Sequence, residues 1–80
     1  DGSMREKLAK QVDTKAEEQK IAIRGIRQSG NESARKQKSE GLITEDQMKK
    51  DEKEIQKHTD TFCKEIENIA KSKKQELMTV

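Results

Sequence analysis

The chain has 80 residues, of which 28% are hydrophobic and 42% are charged, and Phe62 is its one aromatic residue. So few apolar side chains exclude a large core, and a chain this small and polar needs regular helix packing, a partner chain or a missing segment to be stable. The formal net charge is only +2, proline is absent, and Lys, Glu, Gln and Ala are abundant. This composition favours an all-α fold, with a disordered segment as the alternative.

The first predicted helix runs over residues 5–40. Residues 1–4 are typical of a cloning-linker remnant and are left out of the fold prediction. Apolar or small residues recur along the helix at spacings of three, four or seven, which places them on one stripe about 120° wide. The pattern excludes strands and predicts that this stripe faces the core: Leu8, Val12, Ala16, Ala22, Ile23, Ile26, Gly30 and Ala34.

A turn over residues 41–44 is predicted between two helices. Gly41 fits the left-handed position that ends a helix. Thr44 fits the N-cap of the next helix, and Gln47, three residues later, completes a capping box. A connection this short predicts that the two helices are antiparallel neighbours.

The second predicted helix covers residues 45–78, and its apolar positions also share one face: Met48, Ile55, Phe62, Ile66, Ile69 and Leu77. The predicted fold is therefore all-α, an antiparallel hairpin of two long helices. Two helices enclose a core poorly, and both apolar arcs are wide enough for a third neighbour. We expect the hairpin to cover its remaining apolar groove by forming a homodimer.

The sequence offers little chemistry for an enzyme. Its only histidine, His58, lies at the edge of the apolar arc and is interpreted as a boundary residue rather than a base or ligand. Cys63 lies off that arc, which predicts a partly exposed free thiol and a reducing compartment. The four glycines are isolated, so they form no phosphate-binding loop. We expect a non-enzyme without metal or cofactor, and no apolar run approaches the roughly 20 residues of a membrane span.

The most informative pattern is a line of basic residues on the first helix. Its members step by three or four and span about 27 Å by the helical rise, enough for several phosphates of a nucleic acid. They are Lys20, Arg24, Arg27, Asn31, Arg35 and Lys38, and are called the basic stripe below. A solvated surface is the alternative interpretation, although the guanidinium groups of Arg24 and Arg27 suit phosphates better than lysine does.

Four segments resemble one family. The run Ala16–Asn31, AEEQKIAIRGIRQSGN, resembles the signature A-E-x-x-K/R-V/I-A-V/I-R-N-I/V-R-R-D/E-A-N of ribosome recycling factor. The segments GLITED (41–46), DEKEIQKHTD (51–60) and KQELMTV (74–80) are similar to later motifs of the same family, in order and spacing. Gly25, Gln28, Ser29 and Gly30 depart from the pattern.

The resemblance implies a long three-helix bundle with a β-rich domain inserted after its first helix, of which this chain would be the last two helices. It implies a translation factor that acts with elongation factor G to release ribosomes from mRNA after termination. The bundle would lie along large-subunit ribosomal RNA, with Arg24 and Arg27 matching the RNA-contacting pair. The expected location is the bacterial cytoplasm, with an organellar origin left open.

Two other functions stay open at this point. The chain could be a helical-hairpin or coiled-coil module that binds proteins and uses its charges only for solubility. It could also be a disordered basic segment that folds on its partner. Binding of ribosomal subunits that weakens with salt and depends on the two arginines would separate the first function from both alternatives.

Overall fold

A computed structural model of the chain describes residues 1–79 and contains two helices, α1 (Gly2–Ser39) and α2 (Glu45–Met78). They lie side by side in a rod of 61 × 15 × 9 Å, and the described residues include no strand. The predicted all-α hairpin is thus confirmed. Val80, the last residue of the predicted hairpin, lies outside the described residues.

Helix α1 begins three residues earlier than predicted. The side chain of Asp1 accepts a hydrogen bond of 2.9 Å from the backbone N–H of Met4, so Asp1 is the N-cap. This bond satisfies one of the N–H groups that have no partner in the first turn of a helix. Gly2, Ser3 and Met4 therefore belong to α1, and the linker origin of residues 1–4 stays a prediction.

The end of α1 confirms the role predicted for Gly41. This glycine has φ +75°, and it is the only described residue with a positive φ. Its N–H donates to the carbonyl of Lys38 at 3.0 Å, and the N–H of Leu42 donates to the carbonyl of Gln37 at 2.9 Å. Together these bonds form a Schellman motif, which satisfies two of the last carbonyls of α1 and reverses the chain.

The start of α2 agrees with the predicted N-cap and differs from the predicted capping box. Thr44 has extended backbone angles, and its hydroxyl accepts a hydrogen bond of 3.1 Å from the N–H of Gln47. The side-chain amide of Gln47 donates to Asp51 at 2.8 Å instead of reaching back to Thr44. An acidic residue four positions ahead offers a charged acceptor, which competes with the reciprocal half of a capping box.

Three ion pairs join α1 to α2 along one side of the seam. Asp13 Oδ1 is 2.8 Å from Lys74 Nζ, Lys20 Nζ is 3.7 Å from Glu67 Oε1, and Arg35 Nε is 3.3 Å from Glu52 Oε1. From one pair to the next, the residue number on α1 rises by as much as the residue number on α2 falls, as antiparallel helices require. We call the side of the hairpin that carries these pairs the charged face.

Small side chains allow the helices to approach closely. The buried residues of the described chain are Ala34, Thr59 and Ala70, and the Thr59 hydroxyl donates to the carbonyl of Ile55 at 2.8 Å. A Cβ added to Gly30 would lie 3.1 Å from Ile55 Cδ1. Gly30 thus provides the space into which Ile55 packs.

Part of the predicted core is exposed. Ile26 and Ile69 are 69% and 62% accessible, Phe62 is 49% accessible, and Ala22 is also exposed. The stripe thus faces a core only in part, as expected for a hairpin whose two helices enclose a core poorly, because a single neighbouring helix covers only a narrow part of each apolar arc. The remainder of both arcs stays in contact with solvent.

Ile26, Phe62 and Ile69 line apolar depressions along the side of the seam opposite the charged face, together called the apolar groove below. Along α1 the groove is lined by residues spaced three to four apart, and α2 provides a matching row. At a helical step of 100°, Ile26 lies about 120° around α1 from Lys20, so the two faces are distinct. The groove's large or small apolar members include Val12, Ala16, Ile23, Ile26, Ile55, Phe62, Ile66 and Ile69, and its polar members include Lys15, Gln19, Arg27, His58 and Lys73.

Candidate nucleic-acid interface

The basic stripe lies entirely on α1 and divides into two rows. Arg24, Arg35 and Lys38 are exposed, whereas Lys20, Arg27 and Asn31 are half-buried along the seam with α2. The stripe is therefore less uniform than its sequence spacing predicted. The cause is geometric, since residues that share one face of an isolated helix are partly covered once α2 packs beside it.

The upstream part of the stripe is already paired with acidic groups. Glu17 lies 3.5 Å from Lys20 Nζ and 3.7 Å from Arg24 Nη1, and Lys20 also contacts Glu67. The Arg24 side chain is 48% accessible and that of Lys20 only 18%. Exposed pairs of this kind contribute about 0–1 kcal/mol. The Arg24 guanidinium can therefore exchange Glu17 for a phosphate at little cost, whereas Lys20 is more enclosed.

The downstream part contains the cations that have no acidic partner. Within the described residues, Arg27 and Lys38 make no ion pair, whereas Arg35 is held by Glu52 across the seam. Arg27 also lines the groove beside Ile26, so its aliphatic stem is packed. A cation with a packed stem and no partner keeps its full charge for an incoming phosphate.

Asn31 differs from the other stripe residues. Its Oδ1 atom is buried and accepts no hydrogen bond from any described residue. The sequence placed this side chain on the nucleic-acid side of α1, and the structure places its carbonyl oxygen at the seam. A buried acceptor without a partner destabilises the fold by about 1–3 kcal/mol, which makes Asn31 a weaker candidate for contacting RNA directly.

One ion pair of the charged face was not predicted from the sequence. Lys74 and Asp13 form the shortest ion pair of the described chain, at 2.8 Å. They are far apart in sequence, so the helical i, i+4 rule gives no signal for them. Once the turn is placed at Gly41, the antiparallel register alone would have paired these two positions.

The other titratable candidates do not form a site. His58 is exposed and lies 3.8 Å from Glu54 on the groove wall. Cys63 is a half-buried free thiol, as predicted. No three His, Cys, Asp or Glu side chains of residues 1–79 come together in a way that could hold a metal ion. Neither α1 nor α2 has a stretch both long and apolar enough to cross a membrane.

Comparison with known proteins gives a consistent result. A family model described as ribosome recycling factor matches residues 2–78. Proteins named ribosome-recycling factor are 47% identical over 76 residues in Clostridium perfringens and 49% identical over 76 residues in Chlamydia trachomatis. A third, from Lactobacillus delbrueckii subsp. bulgaricus, is 43% identical over 77 residues.

The matches cover nearly all of this chain but less than half of each relative. They span 95–96% of this chain and 41–42% of the relatives. The chain thus spans about two fifths of the length of the curated relatives it matches. No solved structure matched the chain.

Proposed function

The chain belongs to the ribosome recycling factor family, and on this basis we propose that it is the RNA-contacting part of a factor that releases ribosomes from mRNA after termination. Its partner in this role is the large ribosomal subunit, which it contacts through ribosomal RNA. Elongation factor G is the second partner, acting through the intact protein. The site of action is the bacterial cytoplasm, in keeping with the bacterial relatives.

The observation that carries this proposal is the position of Arg24 and Arg27. They lie one turn apart on α1, one exposed on the charged face and the other at the seam with no acidic partner among the described residues. Two guanidinium groups at this spacing can reach successive phosphates of one strand, each through a pair of parallel hydrogen bonds. Lys38 and Arg35 extend the positive line beyond them.

The proposed contact needs no catalytic group. Phosphate contacts position a protein on RNA, and a rigid rod of 61 Å keeps the distances between its cations constant when it binds. Binding of the stripe would exchange the weak pair between Arg24 and Glu17, at 3.7 Å, for a phosphate contact. The 80-residue chain therefore acts by occupying a site on ribosomal RNA in a fixed orientation, and we assign it no reaction step.

One observation favours a second candidate function, a helical module that binds another protein without RNA. Three cations of the stripe, Lys20, Arg24 and Arg35, already have acidic partners. If these ion pairs persist in the functional state, the cations of the stripe hold acidic groups of the hairpin and do not bind RNA. The two candidates differ in what removal of Arg24 and Arg27 does to ribosome binding.

The test is co-sedimentation of the chain with isolated large ribosomal subunits. The double variant Arg24→Ala plus Arg27→Ala is expected to bind at least about tenfold more weakly, because charged hydrogen bonds contribute about 1.5–3 kcal/mol each. The control is Lys57→Ala plus Lys64→Ala, which removes the same charge from exposed positions of α2 and should leave affinity nearly unchanged. Equal affinity of the arginine variant and the wild type, or equal losses in both variants, would contradict the proposal.

A further inference from the structure

Opposite charges recur along the seam at intervals of seven residues. Asp13 pairs with Lys74 at 2.8 Å, and seven residues further along α1, Lys20 pairs with Glu67 at 3.7 Å. A seven-residue step returns a helix to within about 20° of the same face, so the next step brings position 27 of α1 opposite position 60 of α2. This third level again holds opposite charges, an arginine and an aspartate.

No ion pair forms at the third level. Arg27 has no acidic partner among the described residues, and the described residues that line the groove beside it include no carboxylate. Asp60 is exposed and accepts a hydrogen bond of 2.9 Å from the side-chain amide of Gln56. The two opposite charges are therefore kept apart, because Asp60 is engaged by its own helix.

The bond between Gln56 and Asp60 leaves a second group without a partner. The register that brings Asp60 opposite Arg27 also brings Gln56 opposite Asn31, four residues further along α1. Asn31 Oδ1 is buried and accepts no hydrogen bond from any described residue. If Gln56 turned to Asn31 and Asp60 to Arg27, all four side chains would have partners. A local arrangement that satisfies fewer groups than its alternative is typical of a functional site.

We propose that Gln56 keeps Arg27 available for RNA by holding Asp60 away from it, an inference that rests on the proposed function. Gln56 is a positioning residue, because its amide occupies Asp60 while the Arg27 guanidinium keeps its charge for a phosphate. Without that amide, Asp60 is free to turn toward Arg27, as Glu67 does toward Lys20 one heptad away. The carboxylate then competes with the phosphate for the same donors.

The size of the effect follows from the exposure of the competing pair. Asp60 is exposed and Arg27 is half-buried, and an ion pair of this kind changes an equilibrium by at most about fivefold. Gln56→Ala should therefore bind isolated large ribosomal subunits about two- to fivefold more weakly than the wild type. Asp60→Asn should bind at least as tightly as the wild type. Gln56→Ala plus Asp60→Asn should bind as tightly as Asp60→Asn alone, because no carboxylate remains to compete.

A matched control lies nearer the turn on α2. Gln47 donates to Asp51 at 2.8 Å with the same four-residue spacing, and Asp51 lies about 13 Å from the level of Asp60 by the helical rise. Gln47→Ala thus releases an aspartate in the same way but away from Arg27. It also keeps the backbone N–H that Thr44 binds. Its affinity for the subunits should equal that of the wild type.

A second measurement needs no ribosome. The side-chain Nε–H signal of Arg27 in the ¹⁵N-labelled chain reports whether a carboxylate lies beside the guanidinium. Gln56→Ala should move this signal, and adding Asp60→Asn should return it to its position in Asp60→Asn alone. Gln47→Ala should leave it in place. Circular dichroism of each variant checks that both helices are intact.

The outcomes separate this inference from the proposed function. If Gln56→Ala leaves the Arg27 signal in place, Asp60 does not turn toward Arg27 and the inference is wrong. It is also wrong if the double variant binds as weakly as Gln56→Ala, since the Gln56 amide would then contact RNA itself. A signal that moves while the affinity stays at the wild-type value would mean that Arg27 does not contact phosphate, which contradicts the proposed function and this role of Gln56 together.

Discussion

The two central glycines of α1 make a matched pair for testing how closely the helices approach. Gly25 and Gly30 both lie in the interior of α1, and neither has a positive φ. In a helix interior, replacing Gly with Ala stabilises by about 0.8–1.0 kcal/mol. A Cβ at position 25 would meet nothing within 4 Å. We therefore expect Gly25→Ala to stabilise the hairpin by about 1 kcal/mol.

Gly30→Ala is expected to stabilise the hairpin less than Gly25→Ala does. Its new Cβ would lie 3.1 Å from Ile55 Cδ1 and 3.7 Å from Cγ1 of the same side chain. The first distance is shorter than an ordinary contact of about 3.5–4.0 Å, so Ile55 must move by a few tenths of an ångström. Insertion of a methyl group into a packed contact costs about 1–3 kcal/mol where neighbours are rigid. Because Ile55 borders the open groove, it can move, and we expect a cost at the lower end of this range. That cost offsets the gain in helix propensity, so Gly30→Ala should leave the stability of the hairpin about unchanged.

Thermal unfolding followed by the helical circular dichroism signal measures both variants. A change of 1 kcal/mol moves the midpoint by about 4–8 °C in a chain of this size, so Gly25→Ala should melt that much higher, with Gly30→Ala near the wild type. Both are compared at one low micromolar concentration, so that association contributes equally. Equal stabilisation by the two substitutions would refute the close approach of the helices at Gly30. No stabilisation by Gly25→Ala would refute the open surface at position 25.

Three further outcomes are expected. Thr44→Ala should destabilise the chain by about 1 kcal/mol in chemical unfolding, because the bond from the Gln47 N–H is lost; an unchanged midpoint would contradict this role. Gly41→Val should cost about 1–2 kcal/mol, since residue 41 has φ +75°, whereas the exposed Leu42→Val is the control and should cost less. The chain alone should not recycle post-termination ribosomes with elongation factor G, because it spans about two fifths of its relatives; turnover equal to that of a full-length relative would contradict this.

Local signals predicted the course of the backbone. Gly41, Thr44 and the spacing of the apolar residues were sufficient for a hairpin with its turn at 41–44, because caps and left-handed glycines act within a few residues. The predicted start of the first helix was three residues late, because the side chain of Asp1 caps α1. The prediction was also wrong for the side chain of Gln47, which donates to Asp51.

The distribution of side chains around the hairpin could not be predicted in the same way. Helical periodicity gives the arc on which Ile26 and Phe62 lie, but the number of neighbouring helices decides how much of that arc is covered. The same limit applies to the basic stripe, since the partial burial of Lys20 and Arg27 depends on which side of α1 the second helix packs against. The pair between Asp13 and Lys74 needs the register of the whole hairpin, and no local pattern encodes it.

The salt dependence of binding to large ribosomal subunits tests the central claim most directly. If Arg24 and Arg27 contact phosphates, the logarithm of the affinity falls linearly with the logarithm of salt concentration, and loss of two contacts lowers the slope by about 1.4–1.8. The double alanine variant is expected to show this reduction, and the control Lys57→Ala plus Lys64→Ala is expected to keep the wild-type slope. A wild-type affinity that does not change with salt, or a slope that both variants share with the wild type, would contradict an RNA interface on α1.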